Sequence, residues 1–154
     1  LVVRHGVFTE TEFLARQSIQ YEDYNKKVNI EARTMVDMVK RDIFPAVSSF
    51  MGHVASSVAA RESVLPDVPC VHEEKLLRRL SALSAEMMDR CAILEEAMAE
   101  PNKGADAYIA ARYYRERVFA AMEPLRAAVD EMETITAADY WPYPSYTDLL
   151  FSIK

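Results

Sequence analysis

Apolar residues recur at steps of three and four along three stretches of this chain, the period of a helix with one buried stripe. The first stripe runs through Val28, Ala32, Met35, Val39, Phe50, Val54 and Val58, with Ile43, Ala46 and Val47 between. The second is Leu76, Leu80, Leu83, Met87, Cys91, Leu94 and Met98. The third is Tyr108, Ala111, Val118, Met122, Leu125, Val129 and Met132, and Arg115 is the one charged residue in phase with it. The pattern predicts helices over 9–62, about 70–100 and 106–135. It therefore predicts an all-α fold, an antiparallel three-helix bundle whose first helix is very long.

Local signals place the ends. Thr9-Glu10-Thr11-Glu12 has the form of a capping box, flanked by Phe8 and Phe13 as a hydrophobic staple. Acid-to-base pairs follow at i, i+4: Glu12–Arg16, Glu22–Lys26, Asp23–Lys27 and Asp37–Arg41. Pro45 and Pro124 each deny a carbonyl its partner, yet both stripes continue in phase, so each proline is expected to kink its helix. Ser63 to Pro69, with two prolines, predicts the first loop, and the second helix starts between Asp67 and His72. Pro101-Asn102-Lys103-Gly104 predicts the second loop, and Asp106 caps the third helix.

Length then raises a difficulty. At roughly 1.5 Å per residue the first helix would be near 75 Å long and the other two about 40–45 Å. Two short helices cannot cover the long one. The segment from Thr9 to about Tyr24 must therefore meet something else, with Phe13, Leu14, Tyr21 and Tyr24 in need of burial. The tail, 139–154, differs in kind: Trp141-Pro142-Tyr143-Pro144-Ser145-Tyr146 alternates aromatics with proline, which favours an extended path. Ser145 with Asp148 suits a last short helical turn. The tail either seals one end of its own bundle or docks on a neighbouring subunit. Phe13, Tyr21, Tyr24, Trp141, Tyr143, Tyr146 and Phe151 are the candidate docking residues.

Composition narrows the class without naming a function. Of 154 residues, 51% are hydrophobic and 27% charged, as expected for one folded domain. The net charge of −6 leaves no broad basic face for nucleic acid. No apolar run approaching a membrane span and no signal peptide are read from the sequence, so no membrane partner is expected. Cys70 and Cys91 have no metal or redox spacing and are read as reduced thiols, with Cys91 packed on a helix face. A cytoplasmic location is expected. A start at Leu1 is read as a piece of a larger protein, with residues 1–8 a connection to an upstream domain.

No catalytic or metal-binding set is expected. His5, His53 and His72 match no ligand spacing, and three isolated glycines cannot form a phosphate loop. Ser48-Ser49 and Ser56-Ser57 lack a nucleophile elbow. No Glu-x-x-His pair supports a metal site within the bundle.

Two segments nevertheless carry a likeness. Asn29-Ile30-Glu31-Ala32-Arg33-Thr34-Met35-Val36-Asp37-Met38, continued by Ile43-Phe44-Pro45-Ala46, resembles a pattern near the C-terminal end of type III glutamine synthetases. The tail from Trp141 to Phe151 resembles that family's W-P-x-P-x-Y-x-D-L-L-F ending, and His5 to Glu10 its entry into the region. The resemblance implies the C-terminal helical region of an enzyme that joins ammonia to glutamate. That enzyme uses ATP and magnesium or manganese, bound in an upstream catalytic domain. It also implies a homo-oligomer of stacked rings, with this region in subunit contacts. None of the family's catalytic, cofactor or metal residues falls on a position of this chain. The alternative is a free-standing helical protein-interaction module.

Overall fold

The computed structural model describes residues 6–99, 106–144 and 146–151. Most of the upstream connection, the Pro101–Gly104 loop, Ser145 as a cap and the last three residues lie outside the described residues. Among those described, the regular structure is helical throughout. We number α1 as Glu10–Val64, α2 as Val71–Ala99, α3 as residues 107–135 and α4 as Tyr146–Phe151.

The start of α1 follows from its sequence. The Thr9 amide donates to the Glu12 carboxylate at 2.9 Å, and the Glu12 amide donates to the Thr9 hydroxyl at 3.3 Å. Both bonds of the capping box are present. Gly6, at φ 67°, adopts the left-handed turn leading in, a region glycine enters at no steric cost. Phe8 lies under the Arg16 guanidinium, 4.6 Å from ring centroid to carbon, so Arg16 covers an aromatic face while Glu12 serves the cap.

Neither proline breaks its helix. Immediately before Pro45, residues Val39–Ile43 form a π-turn, and the Phe44 amide reaches back five residues to the Val39 carbonyl. The wide turn has a packing consequence. Buried Val39, Ile43 and Val47 are spaced by four, and at about 100° per residue each such step overshoots a straight helix by about 40°. A turn that holds more residues absorbs part of that drift and keeps all three side chains on the core. In α3 a second π-turn, Tyr114–Phe119, precedes Pro124, which sits inside the helix.

Ion pairs between helices show how the chain folds back. Arg61 meets Glu73 at 2.6 Å and Lys40 meets Glu95 at 2.6 Å, so α2 runs antiparallel along the second half of α1. Arg79 pairs with Glu131, and the Tyr113 hydroxyl donates to the Ala97 carbonyl at 2.8 Å, so α3 runs antiparallel to α2. These pairs are part-exposed and each contributes at most about 1 kcal/mol. Stability comes from the core: Val39, Val47, Leu80, Leu83, Met87, Cys91, Leu94, Val118, Leu125 and Met132 are all essentially inaccessible to water. Cys70 and Cys91 are both buried free thiols, and burial pushes the Cys91 thiol up from its usual range.

One sequence expectation needs correcting. A window of 18 residues within α1 reaches a mean hydropathy of 1.3, enough by length and composition to cross a membrane. Only 17% of that window is buried within the chain, with Val47, Phe50 and Val54 in the core that α1 shares with α2 and α3.

Burial sets the relative cost of two substitutions. Leu125→Ala should lower unfolding free energy by about 2–5 kcal/mol, because it truncates a fully buried side chain. Thr9→Ala should cost about 1 kcal/mol of helix-end stability and hardly move the global midpoint, because that end lies outside the core. Urea denaturation followed by circular dichroism distinguishes the two effects.

Candidate functional site

The N-terminal third of α1 is thinly covered. Val28 is its first fully buried residue, and between residues 10 and 27 only Gln17, Ser18, Tyr21, Tyr24 and Asn25 are half-buried. Phe13, Leu14 and Ile19 are 39%, 55% and 64% exposed. The start of α3 docks at the inner edge of this segment. Asp106 accepts from the Tyr108 amide, and the Asn25 side-chain amide donates to the Ala107 carbonyl at 3.3 Å. The rings of Tyr21 and Tyr108 meet at 5.4 Å between centroids, inclined at 56°.

This aromatic pair divides two shallow clefts. One, about 410 Å³, is bounded by Leu14, Gln17, Ser18, Tyr21, Asp106 and Tyr108. The other, about 400 Å³, is bounded by Gln20, Tyr21, Tyr24, Tyr108, Ala111, Arg112 and Arg115. Arg112 is paired with Glu116 at 3.2 Å. Arg115, the charge that interrupted the α3 stripe, is exposed and has no carboxylate within ion-pair distance among the described residues.

The aromatic tail lies at a different place. Tyr140 sets its ring 5.3 Å from Phe50 and 5.9 Å from His53. The Tyr143 hydroxyl donates to the Asp42 carboxylate at 2.8 Å, which ties the tail to the π-turn of α1. Burial and this bond to a carboxylate together push the Tyr143 phenol up to about 12. Trp141 and Tyr143 thereby roof an apolar groove of about 370 Å³ over Met35, Met38, Val39, Ile43, Leu125 and Val129. Beyond them Leu149, Leu150 and Phe151 are 64–72% exposed on α4.

The candidate docking residues therefore do not form one site. Tyr21 and Tyr24 stand at the bare end of α1, half-buried against its own α3, with Phe13 exposed nearby in sequence. Trp141 and Tyr143 pack in cis on the middle of α1. Phe151 is exposed, and the Tyr146 side chain lies outside the described residues. Sequence reasoning missed Asp42 as the anchor of the tail and Tyr108 as the partner of Tyr21. Tyr108 stood in the apolar stripe and looked like core. Arg115 gave the one usable signal, a charge where the stripe called for an apolar side chain.

Titratable groups elsewhere are mostly tied to partners on helix surfaces, such as Asp23 with Lys27 at 2.7 Å and Arg90 with Glu86 at 3.6 Å. Among the described residues no three His, Cys, Asp or Glu side chains converge as a metal would require. Packed helices, paired surface charges and exposed aromatics define an all-helical packing domain.

Its relatives say which one. Residues 1–62 match the family model described as glutamine synthetase C-terminal domain. The whole chain aligns at 32% identity with a glutamine synthetase of Butyrivibrio fibrisolvens, covering 22% of that protein. A glutamine synthetase of Bacteroides fragilis (strain YCH46) is 24% identical over 99% of this chain and 21% of its own length. The type-3 glutamine synthetase of Dictyostelium discoideum is 25% identical over 95% of this chain and 20% of its own. Residues 1–62 thus match a glutamine synthetase C-terminal domain, and the chain as a whole is similar to glutamine synthetases. It spans about a fifth of the length of the curated relatives it matches.

The tail anchor has a pH signature. An unfolded tyrosine ionises near pH 10, whereas Tyr143 in the fold does so at about 12. The folded state thus favours the neutral phenol. Its stabilisation is complete below pH 10 and is lost as pH rises from 10 towards 12, where the unfolded chain releases its proton first. Fluorescence of Trp141, the only tryptophan, should report loosening of the tail over that window. Tyr143→Phe should remove this component, and equal alkaline sensitivity in both proteins would count against it.

Proposed function

We propose that the intact protein is an ATP-dependent glutamate–ammonia ligase and that this chain is its non-catalytic C-terminal part, serving assembly and stability. The observation that carries the reading is similarity to glutamine synthetases over the whole chain, at 32% identity to the Butyrivibrio fibrisolvens protein. ATP and magnesium or manganese belong to the rest of the protein. The described residues do not fit such ligands: no metal-ligand cluster is present among them, and three of their carboxylates, Glu73, Glu95 and Glu131, are paired with bases on neighbouring helices. Phosphoryl transfer needs metal-binding carboxylates and cationic clamps on the phosphates, a different arrangement. Partners on this reading are the upstream catalytic domain and neighbouring subunits of a homo-oligomer, in the cytoplasm. The bare end of α1 supports it, since exposed Phe13, Leu14 and Ile19 are ordinary for a surface that another domain covers.

The intact gene product should form glutamine from glutamate, ammonia and ATP, and the 154-residue chain alone should form none. Removing residues 140–154 from the intact enzyme should lower its melting temperature and the fraction assembled, with little change in KM for glutamate. Unchanged assembly and melting after that deletion would refute the role given to the tail, and an intact product without glutamine-forming activity would refute the enzyme assignment.

A further inference from the structure

We infer that Arg115, framed by Tyr21, Tyr24 and Tyr108, receives a carboxylate from the remainder of the longer protein, and that this cleft is the anchor of the domain's docking surface. The inference rests on the reading of this chain as one part of a larger enzyme, and it names the contact that joins the parts. Three observations carry it. The first is position: the cleft lies where α1 is bare, next to the segment whose apolar side chains lack cover. The second is chemistry. Tyrosine and arginine dominate the energetic centres of protein interfaces, since each offers broad contact area with a polar end. Here three tyrosines and two arginines bound one cleft of about 400 Å³.

The third observation is charge. Arg112 already has Glu116, whereas Arg115 has no carboxylate among the described residues, although it occupies a stripe position on α3. An in-phase arginine adds nothing to the bundle core and is exposed in this chain. Once a partner surface closes over the cleft and excludes water, a carboxylate opposite the guanidinium forms a charge-assisted pair, bidentate when coplanar. Leaving Arg115 covered without such a partner would strand a charge. The occupant is therefore an acidic side chain set within an apolar surface, supplied by the part of the enzyme outside this chain. The relatives are about five times as long as the aligned region, so such a surface is available.

The test is made in the intact enzyme. Arg115→Lys places a primary amine in the cleft, and a water-soluble carbodiimide then condenses that amine with a touching carboxylate. The product is an amide, and the oxygen lost from the carboxyl leaves on the carbodiimide as its urea. Peptide mass spectrometry should find the amide joining position 115 to an Asp or Glu outside residues 1–154. Arg115→Glu should lower the melting temperature of the intact enzyme more than Arg115→Lys, which keeps the charge but not the planar fork. A cross-link confined to this chain, for example to Glu116, or no cross-link in an enzyme that still forms glutamine, would overturn the inference. In that outcome the enzyme reading survives. An intact protein that forms no glutamine would instead sink the reading beneath it.

Discussion

Length is the constraint on which the architecture depends. A helix of 55 residues extends about 80 Å, and its partners of about 43 Å cannot cover it. The chain spends its two shorter helices on the middle and C-terminal parts of α1, where Lys40 and Arg61 pair with α2 and where the deepest side chains lie. The opening turns are left as a helix without a core. Propensity and capping hold them: a complete capping box, an Asp23–Lys27 pair and an arginine laid on Phe8. Such local contributions amount to about 1 kcal/mol each, far less than the burial that fixes the rest. The bare segment is regular but weakly held.

The two π-turns belong to the same problem. A long helix that must keep one face on a bundle drifts out of phase when its apolar side chains are spaced by four. The wide turn at Val39–Ile43 corrects this just ahead of Pro45, where the ladder is already short of one donor. The tail uses the same place, because Tyr143 fastens to Asp42 within that turn. One local irregularity thus serves helix phase, proline accommodation and tail attachment. In α3 the second wide turn carries Arg115 outward to the cleft beside Tyr21.

Much of the fold was legible in the residues. Thr9 and Glu12 announced the start of α1, and the spacing from Leu80 to Leu94 announced the face that α2 buries. The resemblance at Asn29–Ala46 lies within the family match, and the aligned relatives extend the similarity over the whole chain. What periodicity could not supply was the partner of each aromatic. Tyr108 is spaced as core yet is 49% exposed, because α1 offers Tyr21 and no closed interior at that level. Tyr143 sat in a proline-rich segment with no pattern to read, and its bond to Asp42 spans 101 positions of sequence. Val36, buried four residues after Ala32, was passed over in favour of Met35, which is only partly buried against the core.

The central claim is that the opening third of α1 exists to be covered by the rest of a larger enzyme. Hydrogen exchange of the amides in residues 10–27, compared between the 154-residue chain and the intact protein, tests it most directly. The account predicts rapid exchange in the isolated chain, where that segment frays, and strong protection in the intact protein, with residues 71–99 alike in both. Equal and rapid exchange of residues 10–27 in both proteins would contradict it.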